Sequence, residues 1–184
     1  PSDTTPHYAI LAWRAQSFSQ SSHARPDNCR TRGEGKATMT NCIFCDLVAG
    51  REVSSPVYED GQVLAVLDVA PINPGHLLVI PKRHIASLAE LDEETGKHLF
   101  RVAQRLAGAL RQSGLRCEGV NLLMADGAAA GQEVFHIHFH VVPRFQGDSF
   151  KIDADWNIQP CRTELDEIAR EISLAYAQTV VGGV

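Results

Sequence analysis

The stretch Gly131-Gln132-Glu133-Val134-Phe135-His136-Ile137-His138-Phe139-His140-Val141-Val142-Pro143-Arg144 decides how this chain is read. Three of the eight histidines fall within five residues, alternating with Ile137 and Phe139. In an extended strand, spanning Val134 to Val142, successive side chains point to opposite faces. Ile137, Phe139 and Val141 then seat the strand on a core, and the three histidines share the other face. Burying three imidazoles without partners is costly, so that face is expected to do chemistry. His136 and His140 lie roughly 13–14 Å apart at Cα on strand geometry, too far to share one ion with bonds of about 2.0–2.1 Å. At least one imidazole is therefore free, and a neutral imidazole near pH 7 is a competent nucleophile or acid–base group.

Working outward, the small-residue run Ala128-Ala129-Ala130-Gly131 before the strand lets backbone N–H groups approach a phosphate. Val120 to Met124 reads as its antiparallel partner, across a loop from Asp126 to Gly131. Val63 to Asp68 and His76 to Ile80 read as two neighbouring strands joined by a loop stiffened by Pro71 and Pro74. Leu99, Ala103, Leu106 and Leu110 recur at helical spacing between an acidic start at Asp92-Glu93-Glu94 and a stop at Ser113-Gly114. A last helix is expected to be capped by Thr163, with Leu165, Ile168, Ala169, Ile172 and Ala175 as its apolar face. The class is α+β: an antiparallel sheet of about five strands with packed helices.

Composition bounds the rest. The chain has 184 residues, 44% hydrophobic and 21% charged, which suits one core-bearing domain. Lys and Arg number 17 against 22 Asp and Glu, a net charge of −5, so the whole chain offers no basic field for a nucleic-acid duplex or an anionic membrane. No run of eighteen apolar residues occurs, and the first twenty residues lack a secretory pattern. A cytoplasmic location is expected. Five cysteines at irregular spacing argue against a disulfide framework. Residues 1–40 lack apolar periodicity and read as a flexible N-terminal extension, with the functional start near Met39; residues 41–184 read as a single domain carrying the C-terminal helix.

The run from Gly131 to Arg144 resembles the signature of the histidine triad (HIT) family, His-φ-His-φ-His-φ-φ with φ apolar. The resemblance takes in Cys42-Ile43-Phe44-Cys45, Leu67-Asp68, Pro74-Gly75-His76 and Pro81-Lys82-Arg83-His84, and is nearest to the bacterial Hint-like and Fhit-like branches. It implies a HIT-like fold and a nucleotide hydrolase or transferase acting at the α-phosphorus, of phosphoramidase or dinucleoside polyphosphate hydrolase type. His138 is then the nucleophile, forming a nucleotidyl-histidine, and His140 holds a phosphoryl or leaving-group oxygen. The backbone at Gln132, Glu133 and Val134 takes the phosphate, with the Gln132 side chain as a further donor, and a backbone carbonyl such as that of His136 fixes the His138 tautomer. Asp68 takes the ribose hydroxyls, and Ile43, Phe44, Leu64 and Leu67 wall the base. The implied partners are a purine nucleotide or nucleotide conjugate and a second copy of the chain, joined through the long helix and a strand edge.

Cys42 and Cys45 supply half of a tetrahedral zinc shell, or are small hydrophobes in a reduced core. The resemblance completes the shell with His84 and His136, as a structural zinc site with no catalytic metal required. Two positions depart from the family pattern: Ala125 stands where Asn or Gln is usual, and Glu133 where the Hint-like branch has Ser. Ala125 leaves out one polar contact to the ribose or phosphate, for which Asp126 and Asn121 are the nearby candidates, and Glu133 bears on the leaving group, since a carboxylate repels a polyanion. Two rival functions stay open, a zinc-dependent hydrolase using two triad histidines as ligands and a nucleotide-binding adaptor with little turnover. His76 reads as a structural hydrogen-bonder and His98 as a solvated helix residue.

Overall fold

The computed structural model describes residues 42–181; the expected extension over residues 1–40 and Cys29 lie outside them. The chain divides after Phe150 into two compact units. The sheet and the C-terminal helix fall in different units, and each is described by itself.

The unit ending at Phe150 is built on five antiparallel strands: β1 (Pro56–Glu59), β2 (Val63–Leu67), β3 (Leu77–Pro81), β4 (Gly119–Leu123) and β5 (Phe139–Arg144), in the order β1-β2-β3-β5-β4. Helix α1 (Ile43–Val48) precedes them and α2 (Glu93–Gln112) lies between β3 and β4. β2 and β3 pair as expected, Val63 opposite Pro81 and Leu67 opposite Leu77. β4 and β5 pair from Gly119↔Arg144 to Leu123↔His140. Neither β1 nor α1 was anticipated, because Pro56-Val57-Tyr58-Glu59 and the six-residue helix are too short for a periodic signal.

Both faces of the sheet are covered, which is why β2 and β3 read as unbroken apolar runs instead of alternating ones. On one face Leu99, Val102, Ala103, Leu106 and Leu110 of α2 pack on Val63, Ala65, Leu77, Val79, Ile137 and Val141. Asp92 caps α2, its carboxylate accepting from Thr95 N at 2.9 Å. On the other face Cys42 and Phe44 pack on Leu64, Val66, Leu78 and Ile80. The Pro71–Gly75 connection turns tightly before β3: Gly75 has φ 92°, and a Cβ there would stand 2.7 Å from a Leu115 methyl, so only glycine fits without strain.

In the other unit, α3 runs Arg162–Val181. The expected Thr163 cap is corrected: the helix has already begun at Arg162, and it is the Glu164 carboxylate that accepts from Cys161 N at 2.8 Å. On the expected apolar face, Leu165, Ile168 and Ile172 are 45–64% exposed.

Candidate functional site

The histidine strand is shorter than the alternation implies. β5 begins only at Phe139, so His136 and His138 lie in the bend leading into it. The division of faces nevertheless holds: Ile137 and Val141 join the α2 core, Phe139 packs against it, and His140 stands opposite Leu78 on the α1 side. His136 and His138 are not held out to solvent as an open face would require; they are 0% and 6% exposed, because the α1 turn covers them.

Hydrogen bonds fix each ring. His138 Nδ1 lies 2.8 Å from the His136 carbonyl, which can only accept, so Nδ1 carries the proton and Nε2 keeps its lone pair. The edge of the Phe44 ring meets the His138 ring, centroids 4.8 Å apart at 71°, and the His140 ring lies 4.7 Å away on another side.

His140 leads to a residue that sequence reasoning left out of the site. His76 Nε2 lies 3.0 Å from His140 Nδ1, and Ile72 N–H donates to His76 Nδ1 at 3.3 Å. His76 Nδ1 is therefore the acceptor and its Nε2–H donates to His140, leaving the His140 Nε2–H free to point elsewhere. Asp68 Oδ2 stands 3.4 Å from His76 Nδ1, close enough to hold the ring if it gains a second proton, while Asp68 Oδ1 accepts from Ala70 N. His76 is 2% exposed, and the signal that could have found it was the Pro-Gly-His text delivering it onto β3 beside the triad strand.

Burial pushes the His76, His138 and His140 imidazoles below the ordinary histidine value, His140 to about 4, where the adjoining His138 and His76 add to the effect. All three rings are thus neutral at pH 7.

The loop over 127–134 is tied at its turn. Gln132 is 4% exposed; its Oε1 accepts from Gly127 N at 2.7 Å and its Nε2 donates to Ala86 O at 2.9 Å. One amide hydrogen of Gln132 is thereby spent on the protein, and so is its backbone N–H, which donates to Gly127 O. Among the described residues the backbone N–H groups of Glu133 and Val134 make no such bond. Glu133 is exposed. Near Ala125, Asp126 Oδ1 accepts from Leu88 N and Asn121 Oδ1 accepts from the Arg144 guanidinium. Of the four apolar residues assigned to a base wall, Leu64 and Phe44 are core, and Leu67 and Ile43 are 40% and 44% exposed. His98 is not solvated: its Nε2 meets Asp60 Oδ2 at 2.6 Å and its Nδ1 accepts from Arg101.

Cys42, Cys45, His84 and His136 converge, one ligand atom from each lying within 4.8 Å of the others. Cys42 Sγ is 3.4 Å from His136 Nδ1, Cys45 Sγ is 3.3 Å from His84 Nδ1 and 3.7 Å from His136 Nδ1. A tetrahedron with Zn–N near 2.0–2.1 Å and Zn–S near 2.3 Å has N–S edges of about 3.6 Å, so the donor set has the dimensions of a Cys2His2 zinc shell. The His136 tautomer agrees: its Nε2–H donates to Pro81 O at 2.9 Å, turning the Nδ1 lone pair toward the sulfurs. Burial, then the adjacent Cys42, push the Cys45 thiol up to about 11, so Cys45 holds its proton until a cation displaces it.

A sequence model described as the HIT domain matches residues 50–147. An uncharacterized HIT-like protein of Borreliella burgdorferi is 39% identical over 137 residues, covering 74% of this chain and 99% of its own. The crystal structure of a zinc-bound histidine triad family protein from Mycobacterium smegmatis is 41% identical with TM-score 0.59, covering 76% of this chain and 97% of that one. That of a HIT family hydrolase from Legionella pneumophila is 35% identical with TM-score 0.51, covering 58% and 95%. Joined to the triad geometry, these matches show that the chain belongs to the histidine triad family.

Proposed function

We propose that this chain is a nucleotide hydrolase or nucleotidyl transferase in which His138 Nε2 attacks the α-phosphorus of a purine nucleotide or nucleotide conjugate. The observation that carries this reading is the bond from His138 Nδ1–H to the His136 carbonyl, which leaves an unprotonated Nε2 on a ring that burial keeps neutral. The N–P bond forms as the bond from phosphorus to the leaving group breaks, the leaving group departing with its electron pair. Water then attacks phosphorus, the N–P electrons return to Nε2, and the water proton passes to solvent. One in-line displacement becomes two easier ones.

The surrounding groups suit the charge this develops. His140 Nε2–H, freed by the His76 contact, donates to a phosphoryl oxygen, and the N–H groups of Glu133 and Val134 with the spare Gln132 amide hydrogen cradle the phosphate. Asp68 accepts from the ribose hydroxyls. Zinc in the Cys42, Cys45, His84 and His136 shell is structural, because His136 is already committed to it and His138 and His140 are engaged elsewhere. The edge strand β4, and Phe100 of α2, 52% exposed with its ring 6.4 Å from that of Phe139, suit pairing with a second copy. Among the described residues no helix is long and apolar enough to cross a membrane.

The test is incubation with adenylyl and guanylyl phosphoramidates and dinucleoside polyphosphates, a quench that avoids acid, and mass analysis of the peptide over 131–144. A nucleotidyl adduct that disappears in His138→Ala supports the reading. Turnover that persists in that variant and vanishes on chelation gives the site to a catalytic metal, and nucleotide binding without turnover makes the chain an adaptor.

A further inference from the structure

Two of the three short segments that hold the Cys2His2 donors also make the contacts that orient the nucleophile. His136 gives its ring Nδ1 to the sulfurs and its backbone carbonyl to His138 Nδ1–H. Cys42 and Cys45 bracket Phe44, whose ring edge rests on His138 at 4.8 Å and on His136 at 5.9 Å. His84 closes the shell from the loop after β3, and its ring also lies 4.9 Å from that of His136. Phe44 is 7% exposed, so its ring has little room to move while both flanking sulfurs are held.

α1 by itself is a weak support. It has six residues, and its N-cap Cys42 makes no side-chain capping bond, so neither length nor a cap stabilises it alone. Without a cation, contacts between sulfur and imidazole at 3.3–3.7 Å are weak links. Metal bonds of about 2.0–2.3 Å in their place tie α1, the loop after β3 and the bend at His136 into one body.

Resting on the reading of His138 as nucleophile, we propose that the metal centre is a positioning clamp for that residue, with Phe44 and His136 as the positioning residues. A bound zinc ion fixes the Cys42–Cys45 turn, the turn presses Phe44 on the His138 ring, and the His136 carbonyl holds Nδ1–H so that Nε2 faces phosphorus. Asp68 lies outside the clamp, whereas the phosphate loop adjoins it at Val134, which packs on the Cys42 and Phe44 cluster and accepts from His136 N–H at 2.8 Å. Loss of the metal should therefore lower the rate of nucleotidyl transfer more than it weakens nucleotide affinity.

The test uses the full chain in three forms: zinc-loaded, stripped by a chelator and dialysed, and zinc-loaded Phe44→Ala. Nitrogen-15 NMR of the histidine rings reads the His138 tautomer and its exchange. Single-turnover adduct formation gives the rate, and titration with AMP gives Kd. The expectation is one sharp Nδ1–H tautomer with zinc and an exchanging mixture without it. The rate should fall about 10–100-fold on stripping, the range seen when groups supporting a site are removed, with Kd moving less than about threefold. Readdition of zinc should restore both signals. Zinc-loaded Phe44→Ala should reproduce part of the loss, and Phe44→Met should recover it; this arm also decides the matter if the stripped protein unfolds. An unchanged His138 spectrum and rate in the folded, stripped protein, or in Phe44→Ala, overturns the clamp and leaves the nucleophile standing. Absence of any His138 adduct in the loaded protein overturns the nucleophile instead, and the tautomer spectra then decide the clamp by themselves.

Discussion

Asp148 is the perturbation that best tests how the loop before His76 is held. Its carboxylate, 3% exposed, accepts from Arg144 Nε at 2.6 Å, from Arg144 Nη2 at 2.7 Å and from Asn73 Nδ2 at 2.9 Å. Asn73 also donates to Pro143 O, and His76 N donates to Asn73 O, so the same network ties the end of β5 to the loop that delivers His76. Removing one member of a fully buried ion pair costs about 3–5 kcal/mol. Here Arg144 is 24% exposed and keeps Phe150 O as an acceptor, so water recovers part of the loss. Asp148→Ala should cost about 2–3 kcal/mol, or roughly 5–10 °C in Tm for a chain of this length.

The pH dependence separates this cause from simple loss of packing. The Arg144 guanidinium holds the Asp148 carboxyl down to about 2, from an ordinary 3.8. Between those values the unfolded chain binds the extra proton, so stability rises with pH across the window. The stabilisation is fully present above about pH 4 and fades as pH falls toward 2. Thermal unfolding followed by circular dichroism at pH 7 and at pH 3 should show the gap between wild type and Asp148→Ala narrowing at the lower pH. A gap below about 0.5 kcal/mol at pH 7, or one equally wide at pH 3, refutes the reasoning.

Three further outcomes are expected. His76→Ala removes the donor to His140 Nδ1, and the single-turnover rate should drop about tenfold, the equivalent of one hydrogen bond, with little change in Tm beyond the cavity; an unaltered rate argues that His140 orients without it. Gly75→Ala forces a side chain into positive φ and against Leu115, and denaturant unfolding should register a loss of about 1–3 kcal/mol. Because His76, His138 and His140 take up protons less readily folded than unfolded, stability should decline as pH falls from about 6.5 toward 4 and be insensitive to them above that range; a flat profile there would mean that the rings are not buried as described.

Much of the site was legible because its residues are close in sequence or carry distinctive chemistry. The alternation from His136 to His140 assigned Ile137 and Val141 to the core and the three histidines to the opposite face, and the core placement follows from the two-residue period of an extended chain. The Cys42 and Cys45 spacing marked a half-shell. The α2 boundaries emerged from the Asp92 cap and the Ser113-Gly114 stop, which are local features. His76 was read as structural because nothing within its own stretch says that β3 will lie beside β5. His98 was read as solvated because its acceptor, Asp60, lies 38 residues earlier.

By itself, then, the sequence determined the α+β class, the paired strands and the long helix, all of which depend on periodicity or spacing over a few residues. Only the tertiary structure decided which tautomer each histidine adopts, that α1 roofs the triad instead of leaving it open, and that Gln132 is spent on its own loop. Those outcomes rest on which donor meets which acceptor across the strand order β1-β2-β3-β5-β4, and partners brought together by long-range pairing leave no periodic trace in the chain.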